Sequence, residues 1–317
     1  MSWIAQDMDN FFTYLEPHMV GERPQMQGIA GGHYDPNFYD QIFSVKPNLD
    51  FQYAMSLVWP QKVSNIQVGD AYLWGTLNTM LAAYDAHYCP YLDPTLDPIY
   101  PNALTPDGYQ HLDCGTYTHP KVISISYAWP EADFPADYLH RQCHEYLKLG
   151  LQGATILAST GDERTARRHS SCPDSLDPPD SHPFEISFPA SCPWVTAIGG
   201  TFKNRNNNHT TTSREAIYNR RPTGHTTNSS STGGFRTIFP APDYESLATS
   251  QYLLSKISHL SNLSRQFKPP WPRRPRPVRP SRRLPRGQQL EPPRAVPAGV
   301  WDFGFGAGCG RDDIHGE

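Results

Sequence analysis

The sequence predicts an α/β fold, a doubly wound and mostly parallel sheet flanked by helices, on three observations. "KVISISYAW" at 121–129 reads as a strand, "ADYLHRQCHEYLKLGLQG" at 136–153 as a helix and "ATILAST" at 154–160 as a second strand. Such a crossover makes its two strands parallel and its connection right-handed. "WVTAIGG" at 194–200 adds a further strand after an intervening loop, which continues the alternation. Finally, 317 residues at 38% hydrophobic can bury a sizeable core, as one large domain or two small ones.

Taken in order, "AQDMDNFFTYL" at 5–15 is helix-like and Gly28 to Gly32 form a Gly-rich turn. A helix is expected from Pro47, because Pro is tolerated in a first turn, with Leu49, Tyr53 and Leu57 along one side. "VSNIQV" at 63–68 reads as a short strand and "GTLNTMLAAYDAHY" at 75–88 as a helix ending near Cys89. A loop rich in Pro, Asp and Tyr follows. In the crossover helix, Tyr138, Leu139, Cys143, Tyr146 and Leu147 recur at helical spacing. Ligands and catalytic groups gather beyond the carboxyl ends of strands in such sheets, and Asp162 stands immediately after one such end.

The net charge of −4 names no partner by itself. Cys89 with Cys114, and Cys172 with Cys192, lie in loop-like surroundings where bridges commonly sit, which favours an oxidising compartment. Asn208, Asn228 and Asn262 begin N-x-S/T sequons in polar stretches. No run is long enough to span a bilayer, and Met1 is not followed by a signal segment. His140 and His144 share a helix face without an HExxH frame or third ligand, so they read as a solvated face. From Arg265 to Arg294 the chain is rich in Arg and Pro with only Glu291 in opposition. That tail has no apolar periodicity and is expected to be disordered. Its abrupt onset reads as a gene-model artefact, with a nucleic-acid-binding or polyproline-II tail as the alternative.

Four stretches, in order, resemble the sedolisin family of serine-carboxyl peptidases, particularly fungal tripeptidyl-peptidase-like members. They are "NLDFQYAMS" at 48–56, "VISISYAWPEADFPADYLHRQCHEYLKLGLQGATILASTGD" at 122–162, "SFPASCPWVTAIGGT" at 187–201 and "STGGFRTIFPAPDY" at 231–244. The resemblance covers about residues 3 to 264, so 1–264 is expected to be a partial peptidase domain and 265–317 a separate tail. It implies a subtilisin-like fold, incomplete at both ends. It also implies acid-active chemistry, in which a Ser nucleophile is activated by a Glu, an Asp orients that Glu, and a second, protonated Asp donates to the oxyanion. A peptide substrate and an extracellular or acidic lumenal location follow from the same resemblance.

Carried over by position, the orienting Asp is Asp50 and the oxyanion Asp is Asp162, while the Glu base is replaced by Lys46. Protonated, Lys46 holds no lone pair with which to take a serine proton. The expectation for Asp50 is therefore an ion pair in which Lys46 keeps it charged. Glu163, Arg164, Arg167 and Arg168 follow Asp162 where the family has a Gly-rich continuation, and cations favour an ionised carboxylate. The family's Gly-Thr-Ser nucleophile motif does not occur in the sequence, nor does the calcium site beyond it, so no metal or cofactor is expected. The closing "GVWDFGFGAGCGRDD" does not imitate that site. Ser126, Tyr127 and Ala128 match the family's strand beside the substrate backbone, where pairing needs only main-chain groups. The sequence thus points to a peptidase by descent that lacks hydrolytic activity, with a non-catalytic peptide-binding fragment as the alternative.

Overall fold

In a computed structural model, the structure describes residues 2–35, 44–162, 186–203, 215–217, 219–220, 229–234, 236, 238–240, 242–249 and 251. The Arg/Pro tail, the three sequon asparagines, Cys172 and the segment 163–185 lie outside them. The described elements begin with α1 (Ala5–Leu15), β1 (Gln25–Ile29), α2 (Val45–Val58), β2 (Ser64–Val68) and α3 (Leu77–Tyr84). They continue with β3 (Val122–Ile125), β4 (Trp129–Pro130), α4 (Ala136–Leu151), β5 (Thr155–Ser159), β6 (Ser187–Phe188) and β7 (Thr196–Ile198). The chain divides into two compact units. The first holds Met1–Ser124 and Asp137–Leu157, the second Ile125–Ala136 and the described residues from Ala158 onward.

In the first unit, α1 puts Met8 and Phe12 into a buried cluster with Trp3, Met19 and Met55 of α2. Their spacing of four residues places Met8 and Phe12 on one helix face. α2 begins two residues before Pro47, and its packed side departs from the expected apolar stripe. Asn48 and Met55 are its buried residues, whereas Leu57 is 59% exposed. The reason is polar: Asn48 Oδ1 accepts from the Ile4 amide at 2.7 Å, and its Nδ2 donates to Asp7 Oδ2 at 2.8 Å. Hydrogen bonds to the chain entering α1 allow an amide to occupy a core position.

β1 and β2 pair in parallel, with Gln25 opposite Ser64 and Ile29 opposite Val68. β1 was not expected, since "QMQGI" has neither alternation nor β-branched density and ends in the Gly-rich turn. The loops after β1 and β2 are gripped by the Tyr- and Asp-rich segment that follows α3. Asp113 Oδ2 accepts from the Ala30 amide at 2.6 Å, Asp70 Oδ2 from the Tyr109 amide at 2.7 Å, and the Tyr117 hydroxyl donates to Gly28 O at 2.6 Å. Cys89 and Cys114 form the expected disulfide, with Cα atoms 6.0 Å apart. Cys143 and Cys192 are each disulfide-bonded as well.

The buried carboxylate of Asp97, 4% exposed, draws this unit together. Its Oδ1 accepts from Thr76 Oγ1 at 2.8 Å and the Tyr138 hydroxyl at 2.7 Å. Its Oδ2 accepts from the Asp93 amide at 3.0 Å and Asn78 Nδ2 at 3.2 Å. Four donors compensate the loss of water around the carboxylate and join α3 to α4. α4 is the expected amphipathic crossover helix. Tyr138, Leu139, Cys143 and Tyr146 are buried, and Leu147 is only half-buried.

The Thr155 amide donates to Lys121 O at 2.8 Å, so β5 starts beside the start of β3. This is the parallel pairing that a strand–helix–strand crossover demands. The strand order of this sheet is β3–β5–β7, and the α/β class is as expected. No described helix is long and apolar enough to cross a membrane.

Candidate functional site

The carried-over positions fall in the two units and are described separately. In the first, Lys46 and Asp50 stand one turn apart near the start of α2, whose first turn contains no acidic residue. Asn48 faces α1, and Gln52 Nε2 donates to Asp7 O at 3.1 Å. Asp50 lies about 200° around the helix from Asn48, half-buried and clear of those contacts. No salt bridge joins it to Lys46 among the described residues. Burial pushes the Asp50 carboxyl above its ordinary range, and the charge of Lys46, acting at longer range, only partly offsets this. The expected ion pair is thereby corrected. Desolvation outweighs the Lys46 attraction, so burial favours the neutral carboxyl.

In the second unit, Ser126, Tyr127 and Ala128 lie between β3 and β4 rather than inside a strand. β4 pairs antiparallel with β6, Trp129 opposite Phe188. The ring of Tyr127, 42% exposed, stacks on Trp129 with centroids 6.0 Å apart.

Asp162 follows Gly161, which adopts φ +92°, a left-handed conformation natural to glycine. A Cβ there would lie 3.1 Å from Ser187 Oγ, 3.3 Å from Thr232 Oγ1 and 3.6 Å from Ala128 Cβ. The turn before Asp162 therefore sits against the 126–128 segment, β6 and the "STGG" stretch at once. The Thr232 amide donates to Gly161 O at 2.9 Å. Ser231 Oγ accepts from the Gly200 amide at 2.9 Å and lies 3.4 Å from Thr160 Oγ1.

The structure thus brings Ala128 and the Gly161–Asp162 turn together within one unit. The Glu163, Arg164, Arg167 and Arg168 neighbourhood expected for Asp162 lies outside the described residues. Sequence reasoning missed the roles of Ser231 and Thr232. The only available signal was the order of "STGG" among the family-like stretches, because a bond spanning 71 residues leaves no local pattern. His140 and His144 stack at 6.5 Å on α4, and among the described residues no group of three His, Cys, Asp or Glu is placed to hold a metal ion.

Known proteins resemble this arrangement in sequence. The chain is 40% identical over 267 residues to tripeptidyl-peptidase SED1 of Arthroderma otae, covering 80% of this chain and 40% of that protein. It is 33% identical over 256 residues to tripeptidyl-peptidase sed1 of Aspergillus fumigatus, covering 78% and 38%. With aorsin of Aspergillus oryzae it shares 36% over 273 residues, covering 79% and 39%. The chain belongs to the sedolisin family. It spans about two fifths of the length of these curated relatives. No family model matches the chain. A solved structure of Pseudomonas sedolisin, a serine-carboxyl proteinase complexed with pseudo-iodotyrostatin, is similar at 21% identity. It has a TM-score of 0.49 and covers 78% of this chain and 59% of that one.

Proposed function

We propose that this chain is a sedolisin-type peptidase domain that receives extended peptides but, with Lys46 at the base position, does not hydrolyse them. The observation carrying this reading is the α2 pair. A general base must accept a proton from the nucleophile. An ammonium group has no lone pair for that purpose, and burial raises the Asp50 carboxyl above its ordinary range despite the charge of Lys46.

Peptide reception is supported by the second unit. Ser126–Ala128 leaves its main chain outside the paired strands, beside the Gly161 turn, with the exposed Tyr127 ring next to it. Main-chain pairing there requires no catalytic group. Asp162 keeps the oxyanion position, and the proposed substrate class is peptides of the kind cleaved by tripeptidyl-peptidases or endopeptidases of the family. The disulfide-bonded cysteines support an extracellular or acidic lumenal location.

The test uses the purified chain with a fluorogenic tripeptide amide and an uncleaved peptide analogue at about pH 4, where carboxylate chemistry operates. Saturable binding of the analogue without turnover supports the proposal. Turnover abolished by a sedolisin-type aldehyde inhibitor overturns the hydrolytic deficiency, and absence of saturable binding overturns the peptide-receiving role.

A further inference from the structure

In the first unit, α3 and α4 meet at three charged side chains that the family resemblance assigns to no role. Asp85 stands at the carboxyl end of α3, where its amide donates to Leu81 O at 2.9 Å. The helix dipole disfavours a negative charge there. Lys148, in the last turn of α4, answers that charge by donating from Nζ to Asp85 Oδ2 at 2.5 Å. The same nitrogen lies 2.7 Å from Oε1 of Glu145, one turn earlier on α4. Two carboxyl groups therefore converge on one ammonium. The Glu145 side chain is only 10% exposed and that of Asp85 23%, so water screens them poorly.

Charge counting shows what this arrangement lacks. With all three groups ionised, one cation faces two anions, and like charges held close in a poorly solvated place resist ionising together. A single proton brings the three groups to neutrality. Burial decides where it rests. Burial raises the Glu145 carboxyl above its ordinary range, Lys148 offsets this only in part, and the neighbouring Asp85 adds to it. At Asp85 burial acts in the same sense, but the Lys148 bond and the His87 amide, donating to Oδ1 at 2.8 Å, outweigh it and hold the carboxyl below its ordinary range. Lys148 itself is held charged, because its bonds to Asp85 and Glu145 outweigh the effect of burial. Of the other groups nearby, His87 acts on Asp85 through its charge. The Tyr88 hydroxyl, which feels Glu145 and Arg141, donates to Asn78 Oδ1 at 2.8 Å. Arg141 lies over the Tyr138 ring at 5.9 Å.

We propose that Asp85, Glu145 and Lys148 form a one-proton clasp, in which a proton taken up from acid solution by the carboxyl pair fastens α3 to α4 and its loss toward neutral pH loosens that joint. The signs follow from the two carboxyls. The contribution of Glu145 is fully present below its unfolded pKa and is lost as pH rises through the raised folded value. That of Asp85 is present above its unfolded pKa and is lost only as pH falls through the depressed folded value. The joint is therefore firmest in mild acid, where Glu145 is neutral and Asp85 is ionised against Lys148. The clasp stands whether or not the chain binds or hydrolyses peptides.

The test is a carboxyl-carbon NMR titration of the full chain labelled at glutamate, with Glu145 assigned by the signal missing from Glu145→Gln. Glu145 is expected to titrate above the ordinary glutamate range. Its midpoint should move down in Asp85→Asn, which removes the like charge, and up in Lys148→Met, which removes the cation. Urea unfolding at about pH 4 and about pH 7 should give Glu145→Gln, fixed in the neutral form, a midpoint equal to the parent's in acid and higher than the parent's at neutral pH. Protection of the Asp85 amide, corrected for intrinsic exchange, is expected to fall between the same two pH values in the parent and to stay level in Glu145→Gln. Titration of Glu145 at or below the ordinary glutamate range overturns the proposal, as does equal Asp85 protection at both pH values in the parent. Lower stability of Glu145→Gln than of the parent at neutral pH also overturns it. The parent's own titration and amide protection decide the matter should a variant fail to fold.

Discussion

Asp50 and Asp162, the two acidic positions proposed from the family resemblance, are held in place by opposite means. Asp50 sits within a helix whose seating depends on a neighbour, Asn48, bonded to the chain entering α1. Asp162 follows a turn whose seating depends on a main-chain bond from Thr232 and on a left-handed glycine crowded by two hydroxyls. On the proposed reading, such positions outlast catalytic chemistry because packing and main-chain bonds hold them.

The comparison can be broken at its supports. Asn48→Ala removes two bonds and strands the Ile4 amide, so a loss of about 2–3 kcal/mol is expected in urea unfolding. A loss no larger than that of an exposed helix alanine would show that α2 is seated by its apolar contacts alone. Gly161→Ala forces φ +92° on a residue with a Cβ facing two hydroxyls, and about 1–2 kcal/mol should be lost. Faster amide exchange at Thr232 should accompany it, and unchanged exchange would detach the turn from the "STGG" stretch. Ser231→Ala removes the acceptor of the Gly200 amide, at a cost of about 1 kcal/mol by thermal unfolding.

The smallest effect sharpens the comparison by pH. Folding raises the Asp50 pKa, so the fold favours its neutral form. This contribution is fully present below the unfolded pKa and is lost as pH rises through the folded value. Asp50→Asn should consequently match the parent in strong acid and exceed it in stability at neutral pH. Lys46→Met should steepen the parent's loss of stability with rising pH, since it removes a positive charge that favours ionised Asp50. Lower stability of Asp50→Asn at neutral pH would restore the ion-pair reading.

Much of the scaffold was legible because its signals are local. α4 shows an apolar stripe that needs no partner to recognise, and the crossover sets the parallel pairing of β3 and β5. β1 was hidden because its glutamines and glycine resemble a turn until β2 pairs with it. The buried side of α2 was misread because its deciding residue, Asn48, is polar, and its partners lie more than forty positions away. The same limit applies to the site. Asp50 and Asp162 are assigned by resemblance alone, whereas the burial that raises the Asp50 carboxyl and the Thr232 bond to the Gly161 turn depend on distant chain. Nothing in the sequence around Arg236, between Phe235 and Thr237, marks it as buried and paired to Glu245.

The Cys89–Cys114 bond encloses the segment that carries Asp93, Asp97, Tyr100, Tyr109 and Asp113. A backbone cut inside that segment would therefore leave both halves covalently joined. Such a molecule would run as a single band without thiol and as two with it. Apparent intactness on a non-reducing gel is thus no measure of whether this surface has been clipped.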